Sequence, residues 1–469
     1  MKRCSSLCRN PYGKTAIKCL YFILTVIILS LIALYNKFPL LYPDSGTYLS
    51  SSISLFPAVD KVIGYSLFIR IVTWQATSWT IVLFQNLIIS YLIFMFLKLF
   101  FNNKQLYFFH FFSIITLMLF SSLCWFSCQI MPDIFTSALI LVVLIFLNSE
   151  KINKIDYFIY LLLLFFFLIS HLSNVILLIF LLLSIIAFCL FKRNSGNIYS
   201  RIKKRSYVLF LVGIVSVLFI MTYNYAHKRG FRTSASSNVL LVAKFDNIGL
   251  LKTYLDDNCK TNKKCVLCKY KDSLPKSSDE FLWSNRSPLY DYKDPLNIND
   301  SWTKADSEYS PIVKDILLTP KYYSKLIKDA VKYTFFQLIS FKIGTGKIAF
   351  RENSPPYYPY RDNFTNELNS FLNSLQNTGK LYFGVFEIII NISVGISIIL
   401  ILFGLFYIKQ NFVLSFSTAI ITLSLIFNAF ITSTLSVVED RYQSRIIWLI
   451  SLLGIVYMIK LLLKKSAKS

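Results

Sequence analysis

The sequence predicts an all-α polytopic membrane protein with about ten transmembrane helices and one α-rich external domain between the seventh and eighth. Three observations predict it. Only 16% of the 469 residues are charged and 55% are hydrophobic, where a soluble chain has about a quarter charged. Apolar runs such as 17–35, 81–101 and 386–407 approach or exceed the roughly 20 residues that a helix needs to cross about 30 Å of hydrocarbon. Most basic residues outside one long segment fall in short clusters between such runs, the pattern that fixes orientation in a bilayer.

The first run follows a basic N-terminal segment. It is too long for a signal-peptide core and closes on no small-x-small site, so it reads as a retained first helix near 16–35. Further spans are predicted near 79–101, 106–123, 132–148, 156–170, 174–191, 207–223, 384–407, 411–431 and 444–461. With the N-terminus in the cytoplasm, the inward segments hold 20 basic residues. The outward short loops hold five: Lys37, Lys61, Arg70, Arg441 and Arg445. That bias puts both termini in the cytoplasm.

The segment 224–383 holds the other 24 basic residues and 16 acids, and long translocated domains are exempt from the charge rule. The chain thus divides into a transmembrane module at 1–223, with a first external loop at 36–78, an external soluble domain at 224–383, and a transmembrane module at 384–469. Within the domain, Lys321–Ile343 spaces its apolar residues as a helix lying against the domain or the membrane surface. The net charge of +25 suits contact with anionic membrane lipids. No nucleic-acid-binding module is present to use it.

Eight acids lie outside the domain, and six of them (Asp44, Asp60, Asp133, Glu387, Glu439 and Asp440) fall at predicted outer helix ends. Ionisable groups are costly beside hydrocarbon, so their gathering marks a candidate site. Four strings carry it: Tyr42-Pro43-Asp44-Ser45-Gly46, Met131-Pro132-Asp133, Ser170-His171-Leu172-Ser173 and Glu439-Asp440-Arg441-Tyr442-Gln443-Ser444-Arg445. Each has a plainer reading too. Asp133 can be a helix cap, His171 an interfacial histidine, and the last string a surface ion-pair cluster. Pro355-Pro356-Tyr357-Tyr358-Pro359-Tyr360 is an exposed, stiff aromatic loop, either a rigid linker or a cover for an acceptor. Among nine cysteines, Cys259, Cys265 and Cys268 share the external domain and support one local disulfide. Zinc or redox chemistry at Cys265-x-x-Cys268 is the other reading.

With these strings in view, the layout resembles the GT-C superfamily of membrane glycosyltransferases. Asn36–Ser78, with Asp44 and the amphipathic stretch Asp60–Trp74, is similar to that family's first external loop. Met131-Pro132-Asp133 and Thr319-Pro320-Lys321-Tyr322-Tyr323 are similar to recurring strings in it. The paired-acid string of many members is absent, and the large domain precedes helix eight instead of following the last helix. The resemblance implies transfer of a sugar from a polyprenyl-phosphate donor to a surface glycan or lipid acceptor, at the outer face of a bacterial inner membrane. Asp44 would be the catalytic base, with Asp133 beside it. Arg441 and Arg445, or His227, Arg229 and Arg232, would meet the phosphate. His171, Glu439 and Asp440 complete the expected substrate-binding set. A divalent cation, magnesium or manganese, could bridge the phosphate to Asp44 or Asp133, although no residue pattern demands one. An O-antigen polymerase or ligase is the alternative, as is a transporter or flippase of lipid-linked saccharide. Cys259, Cys268, Asp279-Glu280-Phe281-Leu282-Trp283 and the Asp440–Arg445 string also resemble bacterial membrane proteins of an uncharacterised type. That likeness implies a Cys259–Cys268 disulfide.

Overall fold

A computed structural model describes residues 11–191, 196–259, 265–292, 298–408 and 412–466. Among these residues there are 21 α-helices and one isolated β-bridge. The N-terminal part runs α1 (Pro11–Leu29), α2 (Leu31–Tyr35), α3 (Ser45–Ser54), α4 (Gly64–Thr73), α5 (Trp79–Leu97), α6 (Asn103–Phe120), α7 (Leu123–Ser127), α8 (Asp133–Asn148), α9 (Lys154–Ser170), α10 (Leu172–Phe191) and α11 (Asn197–Ala226). The middle holds α12 (Ser237–Asn247), α13 (Leu250–Asn258), α14 (Ser278–Trp283), α15 (Ile298–Leu318), α16 (Tyr323–Ile339), α17 (Tyr357–Asp362) and α18 (Leu368–Leu372). The chain closes with α19 (Gly384–Tyr407), α20 (Phe412–Leu435) and α21 (Asp440–Ser466).

Among the described residues, six helices are long and apolar enough to cross a membrane: Trp79–Leu97, Leu172–Leu190, Asn197–Ala226, Gly384–Tyr407, Phe412–Leu435 and Asp440–Lys465. The protein is a multi-pass membrane protein. Helices α1, α6, α8 and α9 fall where four other spans are expected. Of these, α8 has 16 residues, all of them buried, which gives a length of about 24 Å. A helix that is apolar all round belongs inside a bundle, and α8 packs against α5, α9, α11 and α21.

Two elements differ from expectation. The first span is two helices. The Ser30 hydroxyl between them donates to Val26 O (2.8 Å) and accepts from Asn86 Nδ2 (2.9 Å), a back-bond of the type that bends helices. The amphipathic stretch 60–74 forms α4, with seven of its ten residues buried. It is wedged against α5 and α9. Gly64 permits this, since a Cβ there would stand 2.3 Å from Ile169 O.

The apolar residues form two main cores. The larger runs through the bundle and takes in Ile343, Phe350, Tyr360, Phe364 and Phe371. The second is built by α12 to α15 around Val239, Phe245, Leu251, Phe281, Trp302 and Tyr309. It carries a disulfide between Cys259 and Cys268, whose Cα atoms are 5.5 Å apart. Cys265 remains a half-buried thiol. The 355–360 run is folded in part into the larger core: Pro359 and Tyr360 are buried, and Tyr360 stacks on Phe371 at 4.9 Å.

Candidate active site

Asp44 and Asp133 lie far apart in sequence, and backbone pairing joins their segments. Leu40 N donates to Cys128 O and Ile130 N to Leu40 O, each at 2.9 Å. The Ser45 hydroxyl donates to Ile130 O at 2.8 Å and accepts from Tyr42 N at 2.9 Å. Gln376 holds Leu41 on both sides, accepting from its N–H at 3.0 Å and donating to its C=O at 2.9 Å. The start of α3 is thereby fixed beside the start of α8.

Asp44 stands between two cations. Lys61 Nζ is 3.3 Å from Oδ1 and Arg441 Nη1 is 3.4 Å from Oδ2. Lys61 also pairs with Asp60 at 2.7 Å. The Arg441 guanidinium lies over the rings of Tyr42 and Tyr442, at 4.2 and 4.9 Å, in cation–π geometry. Burial pushes the Asp44 carboxyl up, but Lys61 and Arg441 outweigh it and hold the group below the ordinary carboxylate value. Lys61 shows the complement: burial opposes its charge, and Asp60 and Asp44 raise its pKa above the ordinary lysine value. Asp44 stays ionised, and a quarter of its side chain remains exposed.

Beneath it lies a dry pair. Arg445 donates to Asp133 Oδ1 at 3.1 Å, with the two side chains 0% and 4% exposed. Arg445 also donates to Asn428 Oδ1 at 3.0 Å and Ser173 Oγ at 3.4 Å. His171 Nδ1 lies 2.7 Å from the same Ser173 hydroxyl and accepts the Ser173 N–H at 3.2 Å. Accepting a backbone N–H puts the imidazole proton on Nε2. Asp44, Asp133, His171, Arg441 and Arg445, from four separate turns, therefore belong to one polar cluster.

The other expected residues have different surroundings. Asp440 accepts from Lys342 N (3.2 Å) and the Thr345 hydroxyl (2.9 Å), and Glu387 accepts from Ile343 N and Gly344 N at 3.1 Å each. Both acids thus fasten the 342–345 strap. Glu439 is held through its backbone, which exchanges hydrogen bonds with the Gln337 amide. Arg232 pairs with Asp306, whose carboxylate also accepts Asn238 N and caps α12. This is a structural contact with the second core, and the adjoining Arg229 lines a small pocket together with Asp60 and Lys61. His227 stacks on Tyr223 at 4.5 Å, and Arg229 covers the Phe56 ring at 4.8 Å.

Phe56 is on the rim of a cleft of about 420 Å³, lined by Gly46, Thr47, Ser50, Ser51, Ser54, Phe56, Pro57, Ala58, Pro355 and Tyr358. The cleft begins two residues beyond Asp44. Its far wall can approach because residue 46 is glycine: a Cβ there would lie 2.1 Å from Pro355 O.

A resident divalent cation does not fit. The carboxylates of Asp44, Asp60 and Asp133 are each matched to a lysine or arginine. Among the described residues, no three His, Cys, Asp or Glu side chains gather as a metal-binding group. Sequence reasoning counted Lys61 only as an exception to the charge rule and passed over Lys347. Lys347 is 5% exposed, lies over the Phe126 ring at 4.6 Å and donates to Ile343 O at 2.6 Å. A usable signal did exist for Lys61. Of the five basic residues expected in outward loops against the positive-inside pattern, Lys61, Arg441 and Arg445 lie in the cluster. Comparison with known protein families, curated proteins and solved structures finds no match to this chain.

Proposed function

We propose that the chain is a glycosyltransferase of a bacterial inner membrane. In this reading ten helices cross the bilayer, both termini are cytoplasmic, and the cluster faces outward. It moves a sugar from a polyprenyl-phosphate donor to a glycan or lipid acceptor. The observation that carries the reading is the Asp44 carboxylate, kept ionised between Lys61 and Arg441 and two residues before the first residue of the cleft.

The acceptor oxygen attacks the sugar C1 while the C1–O bond to the lipid phosphate breaks. The acceptor proton passes to Asp44, and the leaving electron pair stays on the phosphate. A carboxylate beside two cations is a weak base, and the same geometry supplies the remedy. When charge develops on the departing phosphate, Arg441 turns its donors toward it. Asp44 then loses one of the two charges that depress its proton affinity, at the moment the proton must move. Arg445, fully buried and bound to Asp133, positions Tyr442 and α21 and does not touch substrate.

The test is genetic. In the producing strain, Asp44→Asn should remove the glycan product that the wild-type gene restores to a deletion strain. An unchanged surface glycan with a normally expressed Asp44→Asn protein defeats the proposal. A ladder of polymer lengths that collapses in the deletion strain points instead to a polymerase.

A further inference from the structure

Resting on that reading, we infer that the cleft along α3 binds a neutral saccharide ring, which makes the acceptor a glycan or glycolipid headgroup. Thr47, Ser50, Ser51 and Ser54 recur at helical spacing and line one side of the cleft, so their side chains share one helix face. Asp44, three residues before Thr47 and seven before Ser51, heads the same face.

Other serines of this region use their hydroxyls inside the chain. Ser45 donates to Ile130 O, Ser52 to Leu49 O and Ser54 to Ser50 O. The hydroxyls of Thr47, Ser50 and Ser51 make no such bond among the described residues. Ser51 lines the cleft although the residue is only 8% exposed, and its hydroxyl, like those of Thr47 and Ser50, is left for an occupant to bond.

Phe56 and Tyr358 stand at the cleft with 44% and 38% of their surfaces exposed. Hydroxyl groups and aromatic rings lining one cleft match a pyranose, which has a rim of hydroxyls and apolar C–H faces. No charged side chain lines the cleft. The anionic lipid phosphate therefore has its partner at Arg441, while the cleft suits an uncharged ring.

The experiment uses the full chain in lipid nanodiscs. Saturation-transfer NMR is recorded with methyl glycosides of glucose, galactose, mannose, N-acetylglucosamine and rhamnose. At least one glycoside should bind the wild type. Tyr358→Ala and Ser51→Val should each weaken that binding about tenfold, the effect of one lost contact or hydrogen bond. Ser50→Trp, at an exposed position that tolerates bulk, should block it with the fold intact. Failure of all five glycosides to bind, or equal binding by the three variants, overturns the inference. Sugar binding that survives in a protein unable to consume a polyprenyl-phosphate sugar would instead overturn the proposed reaction and leave the cleft's assignment standing.

Discussion

Arg441, on the first turn of the last helix, donates to Asp44 at 3.4 Å across 397 residues of sequence. The contact ties the two ends of the chain together at the proposed reaction centre. It also sets how that centre responds to pH.

Asp44 is held down by Lys61 and Arg441 against the upward push of burial. A depressed carboxylate keeps its charge until the pH falls through its folded value, so sugar transfer should persist into acid. Lys61→Met removes one opposing charge and should move the acid limb of the pH–rate profile upward by about one unit, while Lys61→Arg should leave it in place. An unmoved limb in Lys61→Met contradicts the assignment of Asp44 as base.

Lys347 titrates in the opposite sense. Burial pushes it down to about 7; Asp133 and Glu387 oppose that push, and Arg441 adds to it. An unfolded lysine titrates near 10.4, so between pH 7 and 10 the unfolded chain holds a proton that the folded chain has released. Stability should therefore rise with pH across that window. Below pH 7 the lysine is charged in both states and the dependence fades. Relative to Lys347→Met, the wild type should gain up to about 2–3 kcal/mol between pH 7 and 9. Denaturation in detergent at the two pH values measures it, and parallel behaviour of the two proteins rules it out.

The Arg445–Asp133 pair is enclosed, and breaking one side strands a buried charge. Arg445→Met should cost about 3–5 kcal/mol, and the double variant Arg445→Met, Asp133→Leu should recover much of that. Thermal unfolding of single and double variants gives the comparison. A double variant no more stable than the single would mean that the charges are not each other's main partner.

Gly346 sits at φ +72 with its face against Tyr42, where a Cβ would lie 1.9 Å from the ring. Gly379 has nearly the same φ, +71, with nothing within 4 Å. Both alanine variants meet the left-handed penalty of about 1 kcal/mol, but only Gly346→Ala must also shift the 342–350 strap and the ring beneath Arg441. Gly346→Ala should be the less stable of the two and should lose transfer activity. Equal stability would show that the strap yields freely.

Part of this was legible in the sequence. The apolar runs located the long helices, and the acids at expected outer helix ends included Asp44 and Asp133. Their partners were not legible. The bond between Arg441 and Asp44 depends on the bridge at Leu40 and Gln129, which no periodicity announces. Glu387 and Asp440 share the chemistry and predicted position of Asp44, yet they hold backbone N–H groups of a strap 43 and 98 residues away. Composition cannot tell a carboxylate held between two side-chain cations from one fastening a loop. The partner of Arg232 was equally hidden, since Asp306 is 74 residues further on in the second core.

In the proposed reaction Asp44 takes the acceptor proton during sugar transfer from a lipid phosphate. The direct measurement reconstitutes the full chain in nanodiscs with radiolabelled polyprenyl-phosphate sugars and follows the release of polyprenyl phosphate. Wild-type protein should release it from one donor of the set. Asp44→Asn should lower the rate by a factor of about 10² to 10⁴, the usual contribution of a general base, with donor binding retained. Release by Asp44→Asn at the wild-type rate, or no release from any donor by the wild type, would contradict the account.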